Sequence, residues 1–136
     1  MKTMKIETWY TGSMLVGIVG NIIFGLAAFF APSELYNFLG LIYANHGEKC
    51  PWLQNTAIVL IYLSLTYWAA AFDPARYAWN AYIAFAARFT MGLFWLALYL
   101  FFNYPVGFLY LALGDLAIAI VQGILLLKMV GTTITD

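Results

Sequence analysis

The chain has 136 residues, of which AVILMFWYC make up 65% and charged residues only 9%, and its mean hydropathy is +0.86. A soluble domain balances roughly half apolar with a quarter charged residues, so water is not the main solvent of this chain. The formal net charge is zero and no basic cluster is present, which argues against nucleic acid as a partner and against strong attraction to anionic lipid surfaces.

The apolar residues fall into four blocks, Ser13–Ala31, Trp52–Phe72, Tyr77–Phe102 and Pro105–Val130. Each is close to the ~20 residues that a helix needs to cross a ~30 Å hydrocarbon core. Runs such as Ala57–Leu65 and Leu109–Leu113 do not alternate with polar residues, which excludes the strand pattern of a membrane barrel. The expected fold is all-α: a single membrane domain over residues 1–136, an up-down four-helix bundle with one longer outer loop.

Lys2 and Lys5 precede the first block, but its apolar stretch is too long for a typical signal-peptide core, and cleavage after Ala31 would place Phe29 at −3 and Pro32 at +1. It is expected to persist as a helix. Between the first and second blocks, Pro32-Ser33-Glu34 has the form of a helix start, and Leu35, Tyr36, Phe38, Leu39, Leu41, Ile42 and Tyr43 follow. This segment is expected to dip into the outer interface as a partial lid. Glu34 reads as a first-turn acid favoured by the helix dipole. His46 and Cys50 close the loop, and one His and one Cys with Glu48 fall short of a zinc ligand set, so no metal is expected. Cys50 is the only cysteine, which rules out an internal disulfide.

The second block offers Asn55, Tyr62 and Thr66 as a polar edge for the bundle interior. Asp73-Pro74-Ala75-Arg76 reads as a tight turn with a local charge pair. Its shortness, and that of Asn103-Tyr104, makes the second, third and fourth helices antiparallel neighbours. Four spans put both ends on one side with Lys2, Lys5, Arg76 and Lys128, against Lys49 alone on the other; the positive-inside rule makes the termini cytoplasmic. Trp9, Trp68 and Trp79 then mark the inner interface, and Trp52 and Trp95 the outer one.

The third and fourth blocks each carry an ionisable residue, Arg88 and Asp115, that is costly in hydrocarbon unless paired or hydrated. Arg88 lies about 16 Å from the inner end of its helix and Asp115 about 15 Å from the outer end of its own, at 1.5 Å per residue. In a ~30 Å core the two depths nearly coincide, and a midplane Arg88–Asp115 contact is expected. Helical spacing places Ala81, Ala84, Met91 and Trp95 with Arg88, and Ala119 and Gln122 with Asp115. Gly17, Asn21 and Gly25 on the first helix add small residues for close approach and an amide for a cross-helix hydrogen bond.

This constellation has two readings. One is a buried ion pair that fixes helix register, with the amides as interhelical glue. The other is a site for a lipophilic molecule with a polar head, a lipid or quinone, lined by Arg88, Asp115, Asn21, Tyr62, Trp95 and Gln122. No Gly-rich phosphate loop, Ser nucleophile elbow or paired-His motif occurs, so the leading expectation is a non-enzymatic accessory subunit of a larger membrane complex, or a homo-oligomer. The alternative is a small isomerase or cyclase of a lipophilic substrate, with Asp115 as acid/base and Arg88 orienting the head. A channel is disfavoured, because the spans carry no ring of charges.

Several short pieces resemble the small four-helix bacterial membrane proteins related to DoxX. They are Phe29-Phe30-Ala31-Pro32-Ser33-Glu34 after the Gly-rich first helix, Leu39-Gly40, Tyr67-Trp68-Ala69-Ala70-Ala71-Phe72-Asp73-Pro74, Arg88 and Gly114-Asp115. The resemblance covers about residues 13–128. It implies four spans in a bacterial inner membrane and, in some members, association with redox complexes or quinone-linked thiol oxidation. The lack of paired cysteines favours an accessory role over an oxidase.

Overall fold

The computed structural model describes residues 2–41 and 51–133. Five helices make up the described chain: α1 (Lys2–Phe30), α2 (Pro32–Leu39), α3 (Pro51–Phe72), α4 (Ala78–Phe102) and α5 (Val106–Thr133). Among the described residues there is no strand. All but α2 are long and apolar enough to cross a membrane, over Lys5–Phe30, Leu53–Phe72, Ala78–Phe102 and Val106–Met129. The chain is therefore an all-α, multi-pass membrane bundle. Its two ends are called here the terminal side, which holds the α3–α4 turn, and the loop side, which holds α2 and the α4–α5 turn.

α1 begins eleven residues earlier than the hydropathy block, at Lys2 rather than Ser13. Thr11 and Ser13 do not end it because both hydroxyls are satisfied by backbone: Thr11 donates to the Ala71 carbonyl on α3 at 2.6 Å and Ser13 to the Tyr10 carbonyl at 2.8 Å. The extra turns carry Tyr10, which is fully buried.

Local chemistry sets the other boundaries. Pro32 occupies the first turn of α2, where its missing N–H costs nothing, and Gly40 ends it at φ 74°. The Gly40 and Leu41 amides return to the carbonyls of Asn37 (3.1 Å) and Tyr36 (2.9 Å), a Schellman closure. In the α3–α4 turn the Arg76 backbone N–H donates to Asp73 Oδ1 at 3.0 Å, while the Arg76 guanidinium lies 5.6 Å from the Tyr77 ring centroid. The expected link between Asp73 and Arg76 thus runs through the Arg76 backbone. Asn103, left-handed at φ 55°, ends α4, and Pro105 leads into α5.

The four long helices form a ring, α1 beside α3, α3 beside α4, α4 beside α5 and α5 beside α1. The packing within it is uneven. α1 with α3 and α4 with α5 make the two extensive interfaces, and small residues explain why. A Cβ on Gly25 of α1 would lie 3.0 Å from Ile61 of α3; on α4, one at Gly92 would lie 2.7 Å from Leu116 of α5. The bundle is two close helix pairs set side by side.

An apolar cluster joins the pairs at each end. On the terminal side Tyr10, Met14, Ile18, Ala70, Ala84 and Leu126 bring all four helices together. On the loop side Ala28, Ala57 and Phe108 pack with Leu35 and Leu39 of α2. A Cβ on Gly107 would fall 2.5 Å from the Leu39 Cα, so the end of α2 rests directly on the start of α5. α2 caps the bundle end, as the lid expectation had it, but it contributes nothing to the cavity described next. Ile42 and Tyr43, also expected in that lid, lie outside the described residues.

Candidate functional site

Between the two end clusters the helix pairs separate, and the expected ion pair sits there. Arg88 on α4 is buried, and its Nη1 donates to Asp115 Oδ1 on α5 at 3.2 Å. The contact forms because α4 and α5 are antiparallel across a three-residue connection, so residues at matching depth face each other. Asp115 has 25% of its side chain accessible, against 7% for Arg88. The Trp95 indole, two turns along α4, lines the same cavity wall as Asp115.

The guanidinium then crosses to the other helix pair. A Cβ built on Gly17 of α1 would lie 2.5 Å from Arg88 Nη2, 2.6 Å from Cζ and 2.9 Å from Nε. Three atoms of the planar group thus lie against the bare Gly17 backbone, where any Cβ would displace them. Arg88 spans the seam between the pairs midway along the bundle.

A cavity of about 290 Å³ lies beside this bridge, with walls from all four long helices. It is mostly apolar, and its polar groups are Arg88, Asp115, Asn21 one turn along from Gly17, the indole of Trp95 two turns along α4, and the phenols of Tyr67 and Tyr110. Its rim includes Leu63 and Met91 at the α3–α4 seam, and Gly20, Tyr110 and Gly114 at the α1–α5 seam, all exposed. With apolar clusters closing both ends of the bundle, the cavity opens sideways, along the seams between helix pairs. A volume near 290 Å³ is about twice that of an engineered apolar cavity that takes up benzene.

Four of the six residues expected to line a site meet here: Arg88, Asp115, Asn21 and Trp95. Two do not. Tyr62 is 67% exposed and lies outside the cavity. Tyr67 takes its place, five residues and about 140° further round the helix at 3.6 residues per turn. Asn55 and Thr66 are exposed as well. Thr66 reaches no interior because its hydroxyl donates to the Leu63 carbonyl at 2.7 Å, while its own carbonyl accepts from Asn80 Nδ2 at 3.1 Å. Gln122 is 1% exposed but sits two turns beyond Asp115, outside the cavity; its Nε2 donates to the Ser13 carbonyl at 3.4 Å. It holds α5 to α1.

Tyr67, Tyr110, Gly20 and Gly114 also line the cavity, though none of them was expected as a site residue. The clue to Tyr67 is the run of small residues Ala57, Ser64, Ala70 and Ala71, all buried, which marks the inner face of α3 more faithfully than its polar residues do. Gly20 and Gly114 have no heavy atom within 4 Å of a built Cβ, so each opens space into the cavity wall.

Among the described residues no group of three His, Cys, Asp or Glu side chains is placed to hold a metal. His46, Glu48 and Cys50 lie outside the described residues. Outside the spans, the Ser33 hydroxyl donates to Glu34 Oε2 at 2.7 Å and, with the Glu34 backbone N–H, holds that carboxyl below its ordinary value.

Compared with known proteins, the chain matches no family model, no curated protein and no solved structure. Its function is therefore read from the geometry of the cavity.

Proposed function

We propose that this protein is a non-enzymatic membrane subunit that holds one lipophilic molecule, a lipid or quinone, by its polar head at the bundle midplane. The observation that carries the reading is the cavity: Arg88, Asp115, Asn21 and the Trp95 indole set a few polar groups into mostly apolar walls, open toward the membrane interior. Ionisable groups at this depth persist where they serve a site or a pair, and here the pair borders a space large enough for a ligand head. The reading extends to an accessory role in a larger membrane complex, redox-linked as in some DoxX-like proteins, in a bacterial inner membrane with both termini cytoplasmic. Lys5, Arg76 and Lys128 at the terminal side support that orientation.

The test is mass spectrometry of the protein extracted in mild detergent, with its bound lipids and proteins identified. A stoichiometric lipophilic molecule, lost when Gly114→Leu fills the cavity, is the expected result, together with a co-purifying membrane partner. A ligand-free, partner-free protein from native membranes would overturn the reading.

One feature favours a second reading, a small isomerase or cyclase. Asp115 commits one oxygen to Arg88 and remains a quarter accessible, which leaves a carboxylate oxygen to exchange a proton with a bound substrate. Asp115→Asn separates the two: lost turnover with an intact fold supports catalysis, while lost assembly alone supports the subunit.

A further inference from the structure

We infer that the cavity selects an uncharged head group bearing a hydroxyl or carbonyl, and excludes anionic heads such as carboxylate or phosphate. This rests on the reading that the cavity holds a ligand, and it narrows the chemistry of that ligand from the charges and hydrogen-bonding groups of the wall.

Apart from the phenols of Tyr67 and Tyr110, Arg88 and Asp115 are the ionisable residues lining the cavity, and they already neutralise each other at 3.2 Å. A ligand anion drawn to Arg88 would share one guanidinium with the Asp115 carboxylate in a low-dielectric space, and a second negative charge there has no counter-ion. A ligand cation would meet Arg88 in the same way. An uncharged head adds no charge to a balanced pair.

Hydrogen bonding then defines what the head must carry. A guanidinium has five N–H donors, and Arg88 gives one to Asp115. Arg88 and Asp115 both line the cavity, and Asp115 keeps a quarter of its side chain accessible. Asn21 adds a carboxamide to the wall. The wall therefore offers both donors and acceptors. A hydroxyl answers both, and a carbonyl answers the donors. The sideways opening suits a molecule that arrives from the lipid phase with its tail along a seam and only its head inside.

The experiment uses the full-length protein in nanodiscs, with Trp9, Trp52, Trp68 and Trp79 replaced by Phe so that Trp95 is the remaining indole. Three probes are compared at alkaline pH, where bilayer-bound dodecanoate is ionised: dodecanol, dodecanoate and dodecyl phosphate, each brominated at the second carbon of the chain, so that binding quenches Trp95. Native mass spectrometry of the unmodified protein with the same probes gives a readout independent of the tryptophan replacements. Saturable quenching by the alcohol is expected, with the two anions weaker by at least about tenfold, a factor set by one uncompensated charge. Gly114→Leu is expected to abolish it. Equal or tighter binding of the carboxylate or phosphate overturns the uncharged-head inference and leaves the ligand-site reading standing. Absence of saturable binding by all three to folded protein overturns both.

Discussion

The guanidinium of Arg88, on α4, lies flat against the backbone of Gly17, on α1, with Nη2, Cζ and Nε each within 3 Å of where a Cβ would stand. Gly17 thus does for Arg88 on one side what Asp115 does on the other. It fixes where the charge sits without bonding to it. Gly17→Ala is expected to leave the bundle folded, since the displaced atoms end a long side chain, but to push the guanidinium off Asp115. The check is a double-mutant cycle of Arg88 and Asp115: their coupling should fall by about half or more when Gly17 is replaced, with an overpacking cost of about 1–3 kcal/mol. Unchanged coupling would show that Gly17 does not position Arg88.

Breaking the ion pair from one side should cost more than removing it. Asp115→Leu strands the buried guanidinium and is expected to destabilise by about 3–5 kcal/mol, and Arg88→Met, which strands a quarter-accessible carboxylate, by somewhat less. The double variant, apolar on both sides, should recover most of that loss. Thermal unfolding in one detergent, compared across the four proteins, decides it. Additive losses in the double variant would contradict the pairing.

The terminal-side cluster contains two orphaned polar atoms, the Tyr10 hydroxyl and Gln122 Oε1, in side chains 0% and 1% exposed. Burying an unsatisfied group costs about 1–3 kcal/mol. Tyr10→Phe, which keeps the ring and deletes the hydroxyl, should therefore raise the unfolding temperature. A lower temperature would mean that the hydroxyl has a partner, such as an internal water.

Glu34 supplies a titration that can be followed outside the membrane. The Ser33 hydroxyl and the Glu34 backbone N–H stabilise its charged form and lower its pKa. Ser33→Ala removes the larger of these, so the Glu34 carboxyl should titrate at higher pH than in the unsubstituted protein. Side-chain NMR of labelled glutamate reads the shift. A midpoint that stays put or moves down would contradict the hydrogen bond.

The positions of Arg88 and Asp115 were legible in the sequence because three quantities fix them: a constant rise per residue, a short connection and the thickness of the bilayer. Those quantities give depth but not rotation about the helix axis. On α3 rotation had to be judged from polarity, and Tyr62 and Thr66 misled because a hydroxyl in lipid can be satisfied by its own helix, as Thr66 is by Leu63. Ser64 is inside with the same kind of bond, to the Leu60 carbonyl at 2.9 Å, so hydroxyl groups say little about which face is buried. Side-chain size says more. The apolar block began at Ser13 and stopped short of the start of α1, whose earlier turns carry polar Thr11 with its hydroxyl already occupied by the Ala71 carbonyl. Gln122 was correctly placed on the inner face of α5, yet two turns of helix carry it past the cavity and into the packing against Ser13.

The three-residue connection between α4 and α5 bears on how the protein enters the membrane at all. A lone arginine or aspartate at the centre of a helix adds about 2.5–3.5 kcal/mol to insertion. Because Arg88 and Asp115 lie on consecutive helices at one depth, the hairpin of α4 and α5 can leave the translocation machinery with its two mid-helix charges already in contact and neutralising each other. The order of helices along the chain thus spares each charge a solitary passage through lipid, and the seam with α1 and α3 needs to close only afterwards.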